Sequence, residues 1–87
     1  MSTRVYLLLD VVQDKSAQVT ENLQRRPGVV IADPLEGPPD VMIVVEAPDR
    51  QSVAELAIRA LASVETMTKG VRVLPTRDGL NTHIMEK

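Results

Sequence analysis

Val5-Tyr6-Leu7-Leu8-Leu9-Asp10-Val11-Val12 stands near the start of the chain, and Val41-Met42-Ile43-Val44-Val45 near its middle. The reading of these two runs decides the fold. Each is short, rich in β-branched and aliphatic residues and bounded by polar or turn residues, which predicts a strand. A strand covered on one face alternates apolar and polar side chains. Neither run does. In the first, Val5, Leu7, Leu9 and Val11 line one face, while Tyr6, Leu8 and Val12 line the other. In the second, Val41, Ile43 and Val45 oppose Met42 and Val44.

The segments around these runs supply the rest of the fold. The first strand spans residues 4–12, and Gln13-Asp14-Lys15-Ser16 breaks it. Asp14 or Ser16 is suited to cap a helix. Val19 and Leu23, four apart, give that helix a narrow apolar stripe. Arg25 and Arg26 fall in its last turn, where cations suit the dipole, and Pro27-Gly28 stops it. Val29–Ala32 reads as a second strand. Asp33–Asp40 contains Pro34, Gly37, Pro38 and Pro39 and reads as a turn with little freedom, leading into a third strand at Val41–Glu46. Asp49 is placed to cap a second helix, whose apolar positions Val53, Leu56, Ala57, Ala60 and Leu61 follow i, i+3, i+4, i+7, i+8 spacing. A fourth strand lies within Val64–Leu74, ended by Pro75. Residues 1–75 thus form one domain, and residues 76–87 are a C-terminal tail or a short edge strand.

The order β-α-β-β-α-β, with right-handed crossovers, predicts an α+β, ferredoxin-like sandwich. Its four-stranded antiparallel sheet has strands one and three at the centre and both helices on one face. Two short helices cover one face only. The other face is left with Tyr6, Leu8, Val12, Met42 and Val44. A contiguous apolar patch of this kind marks an interaction surface. Burying a large aliphatic side chain contributes about 1.5–3 kcal/mol, so about five outweigh a moderate association cost. The expected partner is a second copy packed sheet to sheet, in the manner of a dimeric α/β barrel. The alternative is that residues 76–87, mostly polar, fold beneath the sheet.

Composition narrows the function. At 87 residues the chain holds one small core. It has no Cys and one aromatic residue, Tyr6, so neither a disulfide nor a thiolate metal site is available and the core is aliphatic. Ten basic residues are scattered among twelve acids, for a formal net charge of −2. Phosphate-backbone binding needs clustered cations, and single strands need aromatic platforms, so direct nucleic-acid binding is disfavoured. The opening apolar run is too short for a signal peptide, and no stretch reaches the roughly 20 apolar residues of a membrane span. A cytoplasmic protein is expected.

With these residues in order, the chain from about Val5 to Leu74 resembles the effector-binding (RAM) domain of the Lrp/AsnC family of transcription regulators. The resemblance rests on the opening strand Val5–Val12 and the helix ending in Pro27-Gly28-Val29. It continues with Gly37-Pro38-Pro39-Asp40 before an aliphatic strand, similar to the family's Gly-x-x-Asp. Glu46-Ala47-Pro48-Asp49 leads into the second helix, and Thr66-Met67-Thr68 resembles the family's Thr-x-Thr. Three features depart from the family. Pro39 replaces the usual aromatic, Ala62-Ser63-Val64 replaces Pro-Gly-Val, and no helix-turn-helix domain precedes the module. The stand-alone form of the module is therefore expected. The resemblance implies dimers of facing sheets, often gathered into rings. It also implies an amino-acid or related small-molecule effector near the Gly-x-x-Asp loop, with a regulator of the same family as a further partner.

On that reading Gly37 and Asp40 receive an effector's ammonium group: glycine permits close approach and a carboxylate pairs with a cation. The alternative is an ordinary hairpin turn in which the Asp40 side chain makes a local bond to backbone. Thr66 and Thr68, taken as lying on one face of a strand, bond the effector's carboxylate, or are simply a β-favouring pair at an edge. His83 is the only histidine and lies in the tail, which argues against a metal site or Ser-His-Asp chemistry. No cofactor, metal or catalytic residue is expected. The leading expectation is a non-enzymatic module for small-molecule binding and oligomerisation. The first rival is a ferredoxin-like chaperone that binds a peptide at a sheet edge. The second is an oxygenase or isomerase of the dimeric α/β barrel type, which needs a polar cavity that this aliphatic sequence does not supply.

Overall fold

The computed structural model describes residues 2–74. Their element order is β1 (Thr3–Val11), α1 (Ser16–Gln24), β2 (Val29–Pro34), β3 (Val41–Ala47), α2 (Arg50–Ser63), a single 3-10 turn (Glu65–Met67) and β4 (Thr68–Leu74). Pro75, His83 and the expected tail at residues 76–87 lie outside the described residues. The strands form one antiparallel sheet in the order β2-β3-β1-β4. This is the ferredoxin-like arrangement, with the two apolar runs at its centre.

Both helices pack on the face that carries Val5, Leu7, Leu9, Val11, Val41, Ile43 and Val45. Val19 and Leu23 from α1, and Val53, Ala57 and Ala60 from α2, complete this core. Nearly all of these side chains are aliphatic and small, so the layers fit closely without an aromatic residue.

The helix ends differ from the expected caps in one case and agree in the other. Lys15 is the N-cap of α1 and offers no side-chain bond; Asp14 instead takes a left-handed φ of 69°. A short polar residue tolerates that conformation, and here it turns the chain out of β1. Helix α1 ends at Gln24, so Arg25 is its C-cap and Arg26 lies beyond it. Asp49 caps α2 as expected, its carboxylate accepting from Ser52 N at 2.8 Å.

Two irregularities in the sheet decide which side chains face out. Val29 pairs with Val45 and Ile31 with Val44, leaving Val30 as an extra residue in β2. Lys69 is likewise extra in β4, because Asp10 pairs with Gly70 and Val11 with Thr68. A bulge shifts the phase of alternation along its own strand. In β2 it sends Ile31 to the uncovered face and Ala32 into the core.

Candidate functional site

The uncovered face follows from the strand register, since directly paired residues share a face. One row across the sheet is wholly apolar: Leu74, Tyr6, Val44 and Ile31, from β4 to β2. The next row reads Arg72, Leu8, Met42 and Asp33. On the other side of the apolar row stand Arg4 and Glu46, paired in the sheet and joined by an ion pair of 3.7 Å. Ser2 Oγ donates to Glu46 at 2.7 Å, and Arg4 donates to the Tyr6 hydroxyl at 3.4 Å. The Tyr6 bond, followed by the Glu46 charge, holds the Arg4 guanidinium above its ordinary pKa.

Of the residues expected on this face, Tyr6, Leu8 and Met42 are half-buried at its centre. Val44 is already fully buried within one chain, flanked in its row by Tyr6 and Ile31. Val12 lies one residue past β1, is 37% exposed, and donates its amide to Met67 O at 2.8 Å. Sequence reasoning missed Ile31 and Leu74, exposed on the two edge strands of the same face. Leu74 is legible from alternation in β4, whereas Ile31 depends on the bulge.

The four residues expected to touch an effector are distributed around one end of the sheet. Asp40 clamps the loop between β2 and β3 to the end of β1. Its Oδ2 accepts from Val11 N at 2.8 Å, its amide donates to Leu9 O at 2.8 Å, and its carbonyl accepts from Leu35 N at 2.7 Å. Gly37 leaves room for the other carboxylate oxygen: a Cβ there would collide with Asp40 Oδ1. The bond Asp40 makes crosses to another strand, whereas the turn alternative foresaw a local one. Thr68 pairs with Val11 from the opposite side. Thr66 does not share a strand face with Thr68, which corrects the expected arrangement. It belongs to the 3-10 turn, while Thr68 opens β4 and donates to Val64 O at 2.8 Å.

Beside Thr68 lies a groove of about 390 Å³ between the end of α2 and β4. Ile58, Leu61, Ala62 and Val71 supply apolar walls, and Glu65 and Lys69 supply opposite charges. It exists because α1 packs over β2 and β3 and α2 over β3 and β1, which leaves the helix-side face of β4 bare; Val71 and Val73 there are 45% and 43% exposed. Sequence reasoning did not identify Glu65 or Lys69. Among the described residues no cluster of His, Cys, Asp or Glu is arranged to hold a metal ion, and no helix is long and apolar enough to cross a membrane.

No protein-family model matches the chain, and no curated protein sequence does. Solved structures do match. FFRP-DM1 shares 18% identity at a TM-score of 0.72, over 85% of this chain and 96% of that one. The Tat proofreading chaperone NapD of E. coli shares 18% identity at a TM-score of 0.66, over 86% and 77% of the two chains. The transcriptional regulator NMB0573 of Neisseria meningitidis, in complex with L-Met, shares 13% identity at a TM-score of 0.61. That match covers 93% of this chain and 58% of the regulator. At such identities the likeness is one of fold, shared with these chains over the lengths matched.

Proposed function

We propose that this chain is a non-catalytic module that self-associates through its uncovered sheet face and binds a small-molecule effector at one end of the sheet. The observation that carries this reading is the apolar row Leu74, Tyr6, Val44 and Ile31, opposite a face already occupied by both helices. Within one chain Val44 is buried and Tyr6 half-buried, while Ile31 and Leu74 stand exposed at the two ends of the row, and exposed apolar side chains gathered on one face mark an interaction surface. The fold shared with FFRP-DM1 and with the L-Met-bound regulator supports a regulatory module of this type.

An amino acid is the effector class this reading favours. The groove beside Thr68 combines aliphatic walls with Lys69 for a carboxylate and Glu65 for an ammonium. Apolar pockets with a few opposed polar groups suit such ligands. In this arrangement Thr68 borders the ligand, and Gly37 and Asp40 hold the neighbouring loop in place. Binding shifts the assembly only through a difference in affinity between assembly states.

Analytical ultracentrifugation with and without each standard amino acid tests the proposal. A dimer or larger species is expected, with its mass or midpoint shifted by at least one amino acid. A monomer at all concentrations, or no response to any amino acid, counts against it. A second reading draws on the outer edge of β4, which pairs with no other strand among the described residues and adjoins the groove. An extended peptide adding to that edge would make the chain a chaperone, a role borne by the structurally similar NapD. Peptide binding to a monomer is the result that favours it.

A further inference from the structure

The charges around the uncovered face are placed so that one orientation of a second copy satisfies them. This inference rests on the self-association proposed above and adds its geometry. The row Arg72, Leu8, Met42, Asp33 carries a cation on one edge strand and an anion on the other. Neither Arg72 nor Asp33 forms an ion pair with another of the described residues.

Two identical sheets packed face to face are related by a twofold axis lying between them. If that axis runs along the strands, β2 of one copy lies over β4 of the other, and β1 over β3. Each row then meets itself reversed. Asp33 faces Arg72 of the second copy, Leu8 faces its Met42, and Tyr6 its Val44. Arg4 faces its Glu46, extending the existing pair into a four-charge cluster. The mean strand directions stay aligned, which is the common mode for sheet-on-sheet packing.

The other orientations are worse. An axis across the strands lays β4 on β4 and β2 on β2. It leaves both Arg72 side chains at one edge and both Asp33 side chains at the other, so neither residue meets its opposite charge on the second copy. An orthogonal crossing brings Arg72 or Asp33 onto its own copy. This follows because each lies roughly 7 Å from the sheet midline and its row lies about 7 Å along the strand from the Tyr6 row. Like charges facing one another in an interface suppress that arrangement.

We propose that the chain forms a dimer whose twofold axis runs along the strands, with Asp33 of each copy paired to Arg72 of the other. Charge reversal tests it. Both residues are exposed in the single chain, so the variants keep the fold, which circular dichroism verifies. D33R and R72D should each raise the dimer dissociation constant about tenfold, because the symmetry repeats each repulsion. The doubly reversed D33R/R72D chain should return to within about threefold of the unchanged protein. The absence of cysteine allows a second test. Mixed D33C and R72C chains should be joined by a short bismaleimide linker, while neither variant links to itself. A dimer in which the single reversals are silent, or in which the double reversal is weaker than either, overturns the orientation and leaves self-association standing. Self-linking of D33C or R72C does the same. A protein that stays monomeric overturns self-association itself.

Discussion

Asp40 Oδ2 lies 2.8 Å from the amide nitrogen of Val11, a residue 29 positions earlier in the chain. This bond fastens the β2–β3 loop to the end of β1, where the sheet passes into its irregular pairing with β4. Removing the carboxylate leaves the part-buried Val11 amide short of a partner, at a cost of about 1–3 kcal/mol. D40A should therefore lower stability by that amount in urea titration, with an unchanged m-value. D40N, which keeps an acceptor oxygen, should lose less. Equal loss in both would show that the charge, and not the hydrogen bond, holds the loop.

Gly28 joins α1 to β2 with a φ of +85°, and its carbonyl accepts from Glu46 N at 2.8 Å. A Cβ there would stand 2.6 Å from Leu56 Cδ1. G28A combines left-handed strain with a steric clash and should destabilise by about 1–3 kcal/mol. Pairing it with L56A relieves the clash but not the strain, so denaturation of the double variant should show that the two losses do not add.

Asp49 caps α2, and the Ser52 backbone amide, followed by the Ser52 side chain, lowers its pKa below the ordinary 3.8. A carboxylate with a depressed folded pKa contributes stability above its unfolded pKa and loses it as pH falls through the folded value. The contribution is thus intact at neutral pH and disappears on acidification below about pH 4. D49A should lower the melting midpoint at pH 7 by about 5 °C. The difference between D49A and the unchanged protein should shrink as the pH is lowered to 2. A difference independent of pH would rule out the charged cap as its source.

Leu8 and Met42 are paired at the centre of the uncovered face and are half-buried in one chain. A carboxylate introduced there has no partner once a second sheet covers it, and burying it is strongly unfavourable. L8E should convert the assembly to monomers while retaining the far-ultraviolet spectrum. Light scattering that still reports the original mass would place the interface elsewhere.

Much of this architecture was legible in the amino-acid order. Local patterns specify local structure: the doubly apolar runs at Val5–Val12 and Val41–Val45 announced central strands, the five-point spacing from Val53 to Leu61 announced α2, and Asp49 announced its cap. The candidate site was less legible. Thr66 and Thr68, two apart, looked like neighbours on a strand. A 3-10 turn through Glu65–Met67 separated them, and nothing in the residue types distinguishes that turn from a strand start.

Sequence by itself determined the element order and the surplus of aliphatic side chains over helical cover, because both depend on periodicities within short segments. Only the tertiary structure decided which outlying residues join the face. Alternation counted from Val29 would turn Ile31 inward and Ala32 outward. The bulge at Val30 reverses both, since one unpaired residue shifts every side chain after it to the opposite side of the sheet. The Asp40 bond to Val11 and the placing of Arg72 and Asp33 in one row are decided in the same way. They are properties of strand pairing between distant segments, and no local stretch of chain encodes them.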